Sequence, residues 1–184
     1  MTFADWLDWG SWVHSVVGGA HFVAAIIALV LGPLIFLNRK GTGAHRLAGY
    51  GFVLAMLTVN ITALTLYDFT GGPNLFHAFA VLSLTAILPG FYAIRMAALT
   101  GEARHLQLHI RLMIWAYFGL LAAGLSQVGT RITFEDPSDK GILFGAIGGI
   151  TAVSGVVLAL SMRRLVPWLA NRYTEGPDAP LRTG

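Results

Sequence analysis

Six histidines stand in a chain that is otherwise poor in ionisable groups. Two of them, His105 and His109, fall in the stretch Glu102-Ala-Arg-His-Leu-Gln-Leu-His-Ile-Arg-Leu-Met-Ile-Trp-Ala-Tyr117. A spacing of four puts both imidazoles on one helix face, one turn apart, while Arg104 and Arg111 leave in other directions. An imidazole nitrogen ligates metal or haem iron and exchanges a proton near neutral pH. Such groups at the mouth of an apolar helix are costly to desolvate, so they mark a functional site whose partners lie elsewhere in the chain. The partners on offer are His14, His21, His45 and His77. There is no cysteine, which removes disulfides, thiolate iron–sulfur ligation, covalently attached c-type haem and thiol catalysis. No His-x-x-His, His-Glu-x-x-His or Ser/His/Asp grouping is present, so hydrolytic and zinc chemistry lose their usual support.

The elements that must position these residues are apolar spans. Of 184 residues, 55% are hydrophobic and 11% charged, with a mean hydropathy of +0.68. Soluble domains carry roughly 25% charged residues. The expected fold is therefore all-α, an integral membrane helical bundle of about five transmembrane helices. The spans read as Ser11–Leu37, Leu47–Tyr67, Leu75–Ala98, His105–Gly129 and Gly141–Met162. Residues 1–10 form an outer interfacial segment, 11–162 the transmembrane bundle, and 163–184 a cytoplasmic tail expected to be largely disordered. Trp6, Trp9 and Trp12 suit the headgroup level before span one. The N-terminus has no basic n-region and reads as mature protein. Gly32-Pro33 should kink span one, and Pro89-Gly90 should break span three softly.

Lysine and arginine number three between spans one and two, none between two and three, three at the next connection, two in the last loop and four in the tail. The positive-inside rule then places the N-terminus out and the C-terminus in, as in a multi-pass protein of a bacterial inner membrane. The net charge of +3 reflects this topology. With no basic patch interleaved with aromatics, nucleic acid is not an expected partner. Gly141, Gly145 and Gly149 recur every fourth residue, a smooth ridge suited to packing against another helix or another subunit.

On this topology the histidines fall into two tiers. His45, His105 and His109 lie at the inner ends of spans two and four, and His14, His21 and His77 in the outer half of spans one and three. His21 is close to the midplane, with Asn60, Ser126, Gln127 and His77 as partners in reach and Arg131 and Asp68 able to close the top. An imidazole at that depth needs a hydrogen bond, a metal or a haem iron. The inner tier adjoins Gly41-Thr-Gly-Ala-His45-Arg46, where free backbone N–H groups favour an anion and Arg46, Arg104 and Arg111 add charge. A haem propionate, a lipid phosphate or a quinone head suits that place. His45 with His109, or with His105, could ligate one haem iron from two helices, and His77 with His21 or His14 a second.

The combination Gly41-Thr-Gly-Ala-His45-Arg46-Leu-Ala-Gly49, Gly72 followed by Phe76-His77, and His109-Ile-Arg-Leu-Met113 with Tyr117 resembles an uncharacterised bacterial family of small predicted membrane proteins, a domain of unknown function. That resemblance covers roughly Ser11 to Arg131 and implies a multi-helix membrane fold without an assigned activity. More loosely, the tiers are similar to di-haem transmembrane b-type cytochromes. Those place two histidines thirteen or fourteen residues apart on one helix, and no span here does so. The function expected is a membrane redox protein that binds haem b through cross-helix histidine pairs and passes electrons within or across the bilayer. Its cofactor-binding residues would be His45, His109, His105, His21, His77, Arg46 and Arg111, with His45, His109, His21 and His77 on the metal. The alternatives are a non-catalytic accessory or assembly subunit of a larger respiratory or photosynthetic complex, or a homo-oligomer, and a small channel or transporter in which His21, Asn60 and His77 line a polar route.

Overall fold

The computed structural model describes residues 13, 15–66, 72–73, 75–131 and 137–174, with the backbone alone at 75, 128–131, 137–140, 144 and 172–174. His14, Asp68 and the three tryptophans at 6, 9 and 12 lie outside the described residues, as does the side chain of Arg131. Five helices follow in order: α1 Val16–Leu37, α2 Gly43–Ala63, α3 Leu75–Thr100, α4 Ala103–Arg131 and α5 Pro137–Thr174. All five are long and apolar enough to cross a membrane, and no strand occurs among the described residues. The 22 residues of α1 span about 33 Å at 1.5 Å each, close to the hydrocarbon thickness of a bilayer.

The pattern of burial is that of helices meant for lipid. On α1 the buried positions are Ala24, Ala28 and Gly32, small residues on one stripe. Val23, Ile26, Ile27, Val30 and Leu34 face outward. Lipid offers apolar side chains as good an environment as a protein interior, so close backbone approach, not hydrophobicity, decides what turns inward.

The chain forms two compact units, Met1–Leu84 and Thr85–Gly184. In the first, α1 and α2 pack closely, and a Cβ added at Gly51 would lie 3.1 Å from Leu31 Cδ1. The turn between them is made by local polar groups. Lys40 Nζ donates to the last carbonyls of α1, Ile35 O at 2.5 Å and Phe36 O at 2.8 Å, and burial pulls its ammonium below the usual lysine range. Gly41 takes φ +75°, and Thr42 caps α2 by accepting from His45 N–H at 3.2 Å. Asn60 of α2 donates to Ser83 of α3 at 3.0 Å.

In the second unit, Gly101 at φ +68° ends α3, donating its N–H to Ala97 O at 3.0 Å. Phe118 and Trp115 of α4 lie against Gly155 of α5 and meet edge to face at 5.6 Å. Ala97, Leu106 and Ala170 form a buried cluster with Ile94 and Ile110 around it.

Several expectations change. The tail expected to be disordered from residue 163 is helical to Thr174, and only 175–184 lie outside the described residues. The reason is a stripe of Met162, Val166 and Ala170, all at most 2% exposed, that continues the inward face of α5 past Arg163-Arg164. Span two begins earlier, at Gly43, so His45 and Arg46 belong to the first turn of α2. Helix α3 runs on through Pro89, where a soft break was expected. Within its own unit the glycine ridge meets no other helix among the described residues. Nothing stands within 4 Å of a Cβ added at Gly141, Gly145, Gly148 or Gly149.

Candidate functional site

The two histidines nearest the middle of their helices are held in the same way. His109, half-buried on α4, has Nδ1 2.9 Å from the Gly90 carbonyl of α3. A carbonyl only accepts, so Nδ1 carries the hydrogen and the neutral ring presents the Nε2 lone pair. Gly90 makes this contact feasible. A Cβ there would stand 2.4 Å from Met113 Cε and 3.0 Å from Leu112 Cβ, so only a glycine lets α4 come this near. The Pro89-Gly90 pair read as a break is an approach point.

His21 on α1 repeats the arrangement in the first unit. Its Nδ1 lies 3.1 Å from Val59 O and 3.0 Å from Thr62 Oγ1, both on α2. The Thr62 hydroxyl spends its own hydrogen on Thr58 O at 2.6 Å, which leaves its oxygen as an acceptor. His21 therefore donates through Nδ1, and Nε2 again carries the lone pair. An imidazole bound by Nδ1–H to a backbone carbonyl is the arrangement found when the other nitrogen ligates a metal, because the outer bond fixes tautomer and ring plane.

The remaining residues fall elsewhere. His77, on the first turn of α3, and Asn60 are the buried polar residues among those described. Asn60 reaches Ser83 rather than His21. His21 meets α2 at the level of Asn60, whereas His77 lies six residues from Ser83, about 9 Å further along α3 toward its N-terminus. Ser126 belongs to the second unit and bonds Ala122 O within its own helix at 2.9 Å; Gln127 lies in the same unit. His45 is half-buried beside the exposed Arg46. The expected His45–His109 pair draws one residue from each unit. His105 serves the α3–α4 turn, with Nδ1 3.1 Å from Thr100 Oγ1 and 4.0 Å from Glu102 Oε2. Thr100 also accepts from Glu102 N–H and donates to Met96 O, and Glu102 pairs with Arg104. Arg111 lies two residues from His109, on the opposite side of α4. It lines a cleft with Trp115, Ala159, Met162 and Arg163.

Among the described residues no three or more of His, Asp and Glu gather as a metal site would require. What the two anchored rings offer is a single nitrogen donor each, fewer than a metal site built from side chains alone needs. Thr62 and Gly90 are the participants sequence reasoning missed. A threonine in a span usually satisfies itself on its own helix, as Thr62 does. Gly90 acts through a backbone carbonyl, which has no letter in the sequence.

Residues 18–162 match the model of a family described as a predicted membrane protein, DUF2306, a domain of unknown function. The chain belongs to that family. Within DUF2306 the match takes in both anchored histidines together with His45, His77 and His105, and it ends before Val166 and Ala170. No curated protein and no solved structure matches the chain.

Proposed function

We propose that this DUF2306 protein is a membrane redox carrier that binds haem b through histidine Nε2 atoms, with His109 and His21 as the anchored ligands and electrons passing within or across the bilayer. One observation carries the reading: in each unit a histidine inside an apolar helix donates Nδ1–H to a carbonyl of the neighbouring helix, leaving the other nitrogen basic and oriented. Haem b, when bound, supplies the one-electron chemistry, and the chain contributes ligands, an apolar surround and the tautomer. His77 and His45 complete the set of histidines offered to it. The orientation that goes with this function, N-terminus out in a bacterial inner membrane, rests on the basic residues of the α1–α2 and α3–α4 connections.

The test is an absorption spectrum of the solubilised protein, oxidised and reduced, after expression with ample haem. A Soret band that is lost in His109→Ala or His21→Ala supports the reading. A colourless wild-type protein, or a band indifferent to all four of His21, His45, His77 and His109, overturns it.

A second reading is favoured by the glycine face of α5, which nothing described in its own unit covers. Small residues at 141, 145, 148 and 149 suit close approach of another transmembrane helix, as in an accessory subunit of a larger membrane complex or a homo-oligomer. Stable, unassociated protein after mild solubilisation would count against it.

A further inference from the structure

The α4–α5 seam holds two arginines that the function above does not use. Phe118 and Trp115 press on Gly155. One turn further along, the seam opens into a cleft of about 210 Å³ lined by Arg111, Trp115, Ala159, Met162 and Arg163. Ala159 is small and exposed, and Met162 is buried at 2% exposure. Arg111 also borders a wider cleft with Arg104, His105, Gln107 and Leu108. Guanidinium groups keep their charge at any ordinary pH. Among the described residues, the carboxylate at this end, Glu102, pairs with Arg104 and approaches His105, and none lies within ion-pair distance of Arg111 or Arg163. Two like charges thus share one cleft without a counter-charge from the described residues.

Depth completes the picture. Arg163 follows an uncharged run of 22 residues, Gly141–Met162, which at 1.5 Å each is about 33 Å of helix, the full thickness of the hydrocarbon layer. The cleft therefore opens at the headgroup level, with a basic rim and an apolar wall of Trp115, Ala159 and Met162 running inward.

We propose that this cleft binds the phosphate of an anionic phospholipid between Arg111 and Arg163, with the glycerol and the start of an acyl chain against Trp115 and Ala159. Basic pockets between transmembrane helices bind acidic lipids by this combination of charge and apolar wall. A zwitterionic lipid brings its own cation to the rim and gains little. Free phosphate shares the charge but not the apolar part.

The experiment uses the full chain, purified and delipidated, with phosphatidylglycerol, phosphatidylcholine or inorganic phosphate added, and reads bound lipid by native mass spectrometry and melting temperature by fluorescence. Phosphatidylglycerol is expected to bind and raise the melting temperature more than phosphatidylcholine does. Replacing both arginines, R111Q with R163Q, should weaken phosphatidylglycerol about 30-fold, the effect of losing two surface charges, while leaving phosphatidylcholine binding and the melting temperature in it unchanged. If the double variant fails to fold, each single variant should show a loss of about 5-fold. Arg111→Lys should retain most of the affinity, and Arg95→Gln, away from the cleft, all of it. Undiminished phosphatidylglycerol binding in the glutamine variants, an equal loss in Arg95→Gln, equal binding of phosphatidylcholine, or full stabilisation by inorganic phosphate would each overturn the proposal. None of these readouts depends on haem.

Discussion

Replacing Gly90 with alanine tests whether the close approach of α3 and α4 is what positions His109. The added Cβ would stand 2.4 Å from Met113 Cε and 3.0 Å from Leu112 Cβ. The first atom ends a flexible chain and can swing away, but the second is fixed to the α4 backbone and must retreat by a few tenths of an ångström. Overpacking of this kind costs about 1–3 kcal/mol. The same retreat stretches the 2.9 Å bond from His109 to Gly90 O, an interaction worth about 0.5–1.5 kcal/mol. Gly90→Ala should therefore lower the melting temperature of the solubilised protein. In the haem-binding reading it should weaken haem about 10- to 100-fold, the usual result of disturbing the outer hydrogen bond of a ligating histidine. The assay is thermal unfolding together with haem titration followed at the Soret band. Met113→Ala removes the atom nearest the new methyl, so combining it with Gly90→Ala should be less harmful than the sum of the two, by at least about 0.5 kcal/mol. Strict additivity, or a Gly90→Ala protein that melts and titrates like the wild type, would refute the account of this contact.

Three further outcomes are expected. Because the chain contains no cysteine, single cysteines report topology directly: a membrane-impermeant maleimide applied to intact cells should label Pro73→Cys and spare Asn38→Cys, and the reverse pattern would invert the orientation. A chain ending at Met162 should be less stable by on the order of 2 kcal/mol, since it loses Val166 and Ala170, each 0% exposed; an unchanged melting temperature would mean that the helical extension contributes nothing. Asn60→Val should cost about 1 kcal/mol through the lost bond to Ser83, read as a lower melting temperature that Ser83→Ala in the same chain does not deepen.

Much of the fold was legible because a bilayer forces backbone hydrogen bonds to close within each segment. Long apolar runs bounded by Arg39-Lys40-Gly41 and by Gly101-Glu102 had to be helices, and five were expected and found. The end of α5 was not legible. Arg163-Arg164 resembles a membrane stop, and only the packing of Val166 and Ala170, with the Ala97–Leu106–Ala170 cluster, shows why the helix continues. The histidines were legible as a group but not in their roles. His105 and His109 share a spacing and a neighbourhood in the sequence, yet one secures a turn through Thr100 and the other reaches another helix at Gly90.

What the sequence by itself determined is where the chain crosses the membrane and which side chains are too polar to be there without a reason, because both follow from transfer of residues between water and lipid, a local property. Which ring nitrogen is tied and which is left basic depends on carbonyls at Val59 and Gly90. Which arginines line one cleft depends on the α4–α5 seam. These are contacts between segments far apart in the chain, and only the tertiary structure decides them.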